Sequence, residues 1–154
     1  MNAEALIDTN LLVYAYTDAD KQKRQISLAL LDQVWKGKKI FSVSLQNLSE
    51  FYSVVTSKVK IPISKRDACG IVEAFCNSSF WVVLIPNPES LSDAMSLSEE
   101  QGISIWDAQI ISVAKQNRVR IVFTENVKDF KLPGIEVINP FRTLNTSPKR
   151  SDDS

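Results

Sequence analysis

"AEALIDTNLLVYAY", residues 3–16, decides the fold. An apolar run ends on Asp8, two small polar residues follow, and a second apolar run begins at Leu11. The spacing predicts a short strand over 3–8 and a helix opened by "LLVYAY". Asp8 therefore stands between two segments that both want burial. Burying a bare carboxylate is costly, and the relief is neutralisation, pairing or a metal. Two explanations stay open from these residues alone: Asp8 caps the helix, or it belongs to a binding site. Thr9 and Asn10 are placed to hold it by hydrogen bonds in either case.

Outward from this stretch, strands and helices alternate. A helix is predicted over 21–35, a strand in "IFSVS" (40–44), and a helix over 45–59 that Pro62 ends. Ser64 is placed to cap a helix over 65–77. "FWVVLIP", 80–86, is a continuous apolar run rich in valine and aromatics, and reads as a strand. A helix is predicted from Ser90 to Gln101 with Gly102 as its stop, and another over 104–117. "RIVFT" (120–124) and "IEVINP" (135–140) read as two more strands. Strands apolar on both faces mean a parallel sheet covered by helices on each side. The expected fold is a three-layer α/β/α domain over 1–141 around a mainly parallel sheet, followed by a polar, disordered tail over 142–154. Ligands of such sheets bind beyond the carboxyl ends of the strands, which is where Asp8 falls.

At 154 residues the chain is read as one domain, large enough to bury about 68–70% of its unfolded surface. Its 18 basic and 18 acidic residues cancel, so bulk charge announces no nucleic-acid partner and any basic surface must be local. Cys69 and Cys76 are seven apart, too distant on a helix for a disulfide. Free thiols in a reducing cytoplasm are expected. Neither a signal peptide nor a membrane span is expected. The chain has no histidine. That removes Ser-His-Asp and Cys-His catalysis and every histidine-based zinc site, and two cysteines cannot make a four-thiolate one. Hydrolytic chemistry here must run on carboxylates, hydroxyls, lysines or an oxygen-ligated metal.

Three further polar positions join Asp8. On a helical wheel Glu50 falls opposite Leu45, Leu48, Tyr52, Val55 and Val59, which describes a solvated face; the wall of a water-filled cleft would look the same. Asp107 completes the capping-box spacing with Ser104, yet it falls among Trp106, Ile110, Ile111 and Ala114, inside the apolar arc. An inward carboxylate needs a partner. Asn126 and Asp129 follow the strand "RIVFT", at another strand carboxyl end, where turn chemistry also explains them. If these oxygen-bearing side chains share one rim, their charges cannot all persist unaided. A hard divalent cation with oxygen ligands, Mg²⁺ or Mn²⁺, resolves the repulsion. Lys21, Lys23 and Arg24, and then Lys36, Lys38 and Lys39, are candidate contacts to a phosphate backbone; solvated faces explain them as well. Phe51, Tyr52 and Trp106 are expected in the core, with base stacking as their alternative role.

With these residues in order, the chain resembles the PIN-domain ribonucleases of the kind found as VapC-like toxins in prokaryotic toxin–antitoxin pairs. The resemblance covers residues about 4–141. It is carried by "LIDTNLLVYA", "SVSLQNLSEFYSVVTSK", "GISIWDAQIISVAKQNRVRIVFTENVKDF" and "GIEVINPF". It implies metal-assisted hydrolysis of single-stranded RNA, with water as the nucleophile and a 5′-phosphate and a 3′-hydroxyl as products. Asp8 and Asp107 would hold Mg²⁺ or Mn²⁺, Glu50 would bind it or position water, and Asn10 and Thr124 would orient the acids. Asn126 stands where many relatives carry a fourth acid. It offers one neutral oxygen, which points to a single ion or weaker affinity, with Asp129 as the candidate to compensate. The resemblance also implies a homodimer and an antitoxin that fills the groove.

Two rival readings remain. One is a PIN-like module that binds RNA or protein after losing hydrolysis, for which Asn126 speaks. The other is a phospho-acceptor receiver domain, which wants an acidic pair after its first strand and a lysine at a later strand end; this chain has a lone Asp8 and "FTEN".

Overall fold

A computed structural model describes residues 2–126 and 134–142. Strand β1 (Ala5–Ile7) runs directly into α1 (Thr9–Tyr16). Then follow α2 (Lys21–Trp35), β2 (Phe41–Ser44), α3 (Leu45–Ser57) and α4 (Lys65–Asn77). The second half holds β3 (Trp81–Leu84), α5 (Pro88–Gln101), α6 (Ile105–Gln116), β4 (Ile121–Phe123) and β5 (Glu136–Ile138).

The five strands form one sheet in the order β3-β2-β1-β4-β5. Every pairing is parallel, so the expected mainly parallel sheet is wholly parallel among the described residues. Alternation along β1 shows how both faces are used. Ala5 and Ile7 join a core with Leu11, Leu12, Leu31, Phe51 and Phe75 from the first four helices. Leu6 points the other way, into a core with Ile110, Val113 and Ala114 of α6. All three β1 residues are buried, which is why the run lacks the apolar–polar alternation of a one-sided strand. The two cores on opposite faces give the three layers.

Helix starts follow cap chemistry. Ser64 and Ser104 accept from the backbone N–H three residues on, as their spacing predicts. The helix expected at Ser90 begins earlier. Asn87 is its cap, Pro88 its first residue, and Ser90 returns a bond to the Asn87 backbone. Proline at the first helical position has no N–H to leave unsatisfied and is set for helical φ. Gly102 ends the helix with φ at 65°, a left-handed conformation that disfavours a Cβ. The strands fall one or two residues short of their expected bounds at both ends, except β2, which is short only at its start.

Phe51 is fully buried and Tyr52 half-buried, as core packing requires. Trp106 departs from the same expectation: it is 63% exposed. It lies in the first turn of α6, ahead of the stretch where Ile110, Ile111, Val113 and Ala114 join the core, and its indole stays outside those clusters. Cys69 and Cys76 are free and exposed on α4. Among the described residues no helix is long and apolar enough to cross a membrane. The expected tail lies outside the described residues except for Arg142.

Candidate functional site

Sheet order fixes where a ligand can sit. From β1 the chain winds outward through β2 and β3 on one side, and returns to place β4 and β5 on the other. The crevice at such a reversal, between the carboxyl ends of β1 and β4, is the binding position of open parallel sheets. Asp8 follows β1 and Thr124 follows β4.

Asp8 is both cap and site residue, so the two explanations are not alternatives. Its Oδ1 accepts the Thr9 backbone N–H at 2.8 Å. The same oxygen accepts the Asn47 side-chain amide at 3.2 Å, and Oδ2 accepts the Thr124 hydroxyl at 2.7 Å. A carboxylate has about four acceptor directions, so three donors leave it room for one more partner.

Glu50 does not lie on a solvated face. It is half-buried, and two neighbours hold it: the Thr9 hydroxyl donates to Oε2 at 2.9 Å and the Gln46 amide to Oε1 at 2.8 Å. Its helix starts directly after β2, where the chain turns at the same sheet edge. The wheel could not separate this position from solvent, since polar side chains line both.

Asp107 is half-buried. The Ser104 hydroxyl accepts its backbone N–H at 3.1 Å, which is half of a capping box. Among the described residues the carboxylate itself takes no hydrogen bond, so capping does not use it.

Asp8, Glu50, Asp107, Asn10 and Asn126 line one cleft of about 310 Å³, together with Thr9, Gln46, Tyr14 and Trp106. Thr124 lines a small adjoining cavity with Asp8, Asp107 and Asn126, and accepts the Asn126 backbone N–H at 3.1 Å and the Asn10 amide at 3.4 Å. Burial pushes the Asp8 carboxyl above its ordinary value. The bonds from Thr124 and Thr9 oppose the rise, and the charges of Asp107 and Glu50 add to it. Asp8 therefore feels the charges of both other acids across the cleft. Asp129 lies outside the described residues.

Lys21, Lys23 and Arg24 open α2 and do not line the cleft. Lys23 pairs with Glu125, whose other oxygen accepts the Tyr14 hydroxyl at 2.6 Å. Arg24 pairs with Asp18 at 2.6 Å, and Lys21 is exposed. Glu125 is thus turned toward α2 and neutralised there. It does not supply the charge that Asn126 lacks.

Sequence reasoning missed Asn47. This fully buried side chain donates to Asp8 and to the Thr9 hydroxyl at 3.1 Å, and accepts the Ser44 backbone N–H at 3.0 Å. One residue closes the cap of α3 and ties three elements together. The signal was an asparagine three residues after Ser44 at the start of an apolar helix, a capping-box position filled by an amide.

The donor set is all oxygen, which suits a hard divalent cation. Among the described residues no three acidic or thiol side chains stand close enough together to form a ready-made cage. An ion such as Mg²⁺ keeps several waters and takes one or two carboxylates, and Asp8, with an open acceptor direction, fits that demand.

The fold and site define a class: a parallel-sheet α/β/α protein with an acidic, histidine-free cleft at the switch point of its sheet. The family model of the PIN domain matches residues 5–132, and the chain belongs to that family. No curated protein sequence matches it. Among solved structures, a toxin–antitoxin complex from Klebsiella pneumoniae aligns at 20% identity, covering 88% of this chain and 97% of that one, with a TM-score of 0.63. VapBC2 from Rickettsia felis, bound to a DNA fragment from its promoter, aligns at 23% identity over 88% and 97%, with a TM-score of 0.61. VapC20 from Mycobacterium tuberculosis, described as a toxin cleaving the sarcin–ricin loop, aligns at 14% identity over 81% and 90%, with a TM-score of 0.59. At these identities the likeness is one of fold.

Proposed function

We propose that the protein is a divalent-metal-dependent endoribonuclease of the VapC-like kind. The observation that carries this reading is the shared cleft: Asp8, Glu50 and Asp107 come from three separate elements and line one crevice at the β1/β4 switch point. Asp8 and Asp107 would hold Mg²⁺ or Mn²⁺, with Glu50 as a further ligand or as the group that orients water. When bound, the ion supplies charge for a phosphoryl centre and lowers the pKa of water.

The chain's own residues do the positioning. Asn47, Thr9 and Thr124 fix the Asp8 carboxylate from three directions. Thr9 and Gln46 fix both oxygens of Glu50, which holds it in place at the cleft wall. A preset carboxylate of this kind accepts a proton from an attacking water without first reorganising. The hydrolysis would leave a 5′-phosphate and a 3′-hydroxyl. Asn126 lines the cleft with a neutral side chain, which supports a single ion. The relatives that are themselves toxin–antitoxin complexes support an antitoxin as protein partner. A homodimer and a cytoplasmic location complete the reading.

The test is cleavage of a single-stranded oligoribonucleotide in Mn²⁺ by the wild type and by Asp8→Asn. Loss in the variant is the expected result. Equal residual activity in both would favour the second reading, a PIN-fold RNA- or protein-binding module, for which neutral Asn126 is the specific support.

A further inference from the structure

Trp106 is the residue whose placement the catalytic reading leaves without a role. A buried indole contributes a large apolar surface to a core, and the chain's other two tryptophans do so: Trp81 is 4% exposed and Trp35 packs on Phe75 at 5.0 Å between centroids. Trp106 is 63% exposed, beside Asp107, on the wall of the acidic cleft. Among the described residues no other that lines the cleft is a large exposed hydrophobe. Ile110, one turn further on, is buried beneath the same wall and fixes the helix that presents the indole.

We propose that Trp106 is a base-stacking residue, which binds a nucleobase of a strand lying in the cleft that Asp8 and Asp107 line. The inference rests on the ribonuclease reading and names how that site recognises its substrate. A protein anchor calls for a contiguous apolar patch with a well-packed centre. Trp106 shares the cleft with polar Asp107, Asn126, Gln46 and Glu50 and with Val13, Tyr14, Val54 and Ile110, and among these described residues its indole is the one large apolar surface left exposed. A single aromatic face beside a phosphate site is what single-stranded nucleic acid uses, because every base has a π-face. Stacking of this kind ties the scissile position to a base without reading its edge. Trp106 therefore sets the requirement for an unpaired base and leaves sequence preference weak.

The test compares wild type, Trp106→Ala and Trp106→Phe on a short single-stranded oligoribonucleotide in Mn²⁺, following both cleavage and tryptophan fluorescence. Trp106→Ala is expected to raise KM by about five- to 150-fold, the range that stacking one base contributes, with kcat much less affected. Trp106→Phe is expected to recover most of the loss. Oligonucleotide binding is expected to quench the wild-type emission, and not that of Trp106→Phe, in which the remaining indoles, half-buried Trp35 and buried Trp81, do not line the cleft. An oligonucleotide abasic at the stacked position is expected to bind wild type as weakly as Trp106→Ala binds the intact one. Unchanged KM in Trp106→Ala, with the wild type active, overturns the inference alone and assigns the indole to a protein surface. Quenching without cleavage supports stacking and sinks the catalytic reading. Neither binding nor cleavage by the wild type sinks both.

Discussion

Thr124 donates its hydroxyl to Asp8 Oδ2 at 2.7 Å, across 116 positions of chain. The two residues end adjacent parallel strands, β4 and β1, whose registers pair Ile7 with Phe123. The contact favours the ionised carboxylate against the pull of burial.

Replacing Thr124 with valine keeps the shape and removes this donor. It also leaves the Asn126 and Asn10 donors without their acceptor. The expected loss is about 1–3 kcal/mol, and the Asp8 carboxyl moves further up. Urea unfolding at neutral pH in EDTA measures the loss, and Mn²⁺ affinity should fall with it.

Asp107→Asn removes a charge that raises the Asp8 carboxyl and takes no hydrogen bond of its own among the described residues. In EDTA the variant should be more stable than wild type, by about 0.3–1 kcal/mol for a partly exposed pair. That corresponds to a Tm rise of about 1–3 °C at this chain length. In the wild type Mn²⁺ should raise Tm by binding only the folded form, and the variant should lose most of that increment. Two thermal melts per protein, with and without metal, decide it.

Asp8 gives stability a definite pH dependence in EDTA. Its folded value lies above the ordinary one of 3.8. Between the two values the folded chain holds a proton that the unfolded chain releases. Stability from this group therefore falls as pH rises through that window, and the full penalty is present above it. The advantage of Asp8→Asn over wild type should grow as pH rises from below 3.8 toward neutrality. The lost Thr124 bond adds an offset that does not vary with pH, so the slope is the diagnostic. Denaturant midpoints at a series of pH values report it.

Lys23 is engaged with Glu125 and Tyr14 and so ties α2 to the end of β4. The pair is partly exposed, so Lys23→Met should cost no more than about 1 kcal/mol. The cost should shrink at high salt. A free RNA contact at this position would leave stability unchanged and show only in binding, which melts at two salt concentrations distinguish.

Much of the fold is legible locally. Apolar runs of strand length, caps at Ser64 and Ser104, and the stop at Gly102 depend on neighbours within four residues. Where local signals compete, the reading slips. Ser90 is a good cap, but Asn87 followed by Pro88 is a better one, and the helix takes it. Trp106 fails for a different reason, and the wheel leaves Glu50 open for the same one. The wheel assigns faces by periodicity, and a cleft wall carries the same residues as open solvent or, for an indole, as a core.

The sequence by itself narrowed the chemistry: with no histidine and two cysteines seven apart, a site had to draw on carboxylates, hydroxyls, lysines or an oxygen-ligated metal, and Asp8 had to end the first strand. Only the tertiary structure decided which residues meet. Strand order, set by burial of both sheet faces, brings the end of β4 beside the end of β1, and so sets Thr124 on Asp8, Glu50 and Asp107 across one cleft, and Trp106 at its rim. Contacts across such separations follow from how layers pack, which no window of the chain encodes.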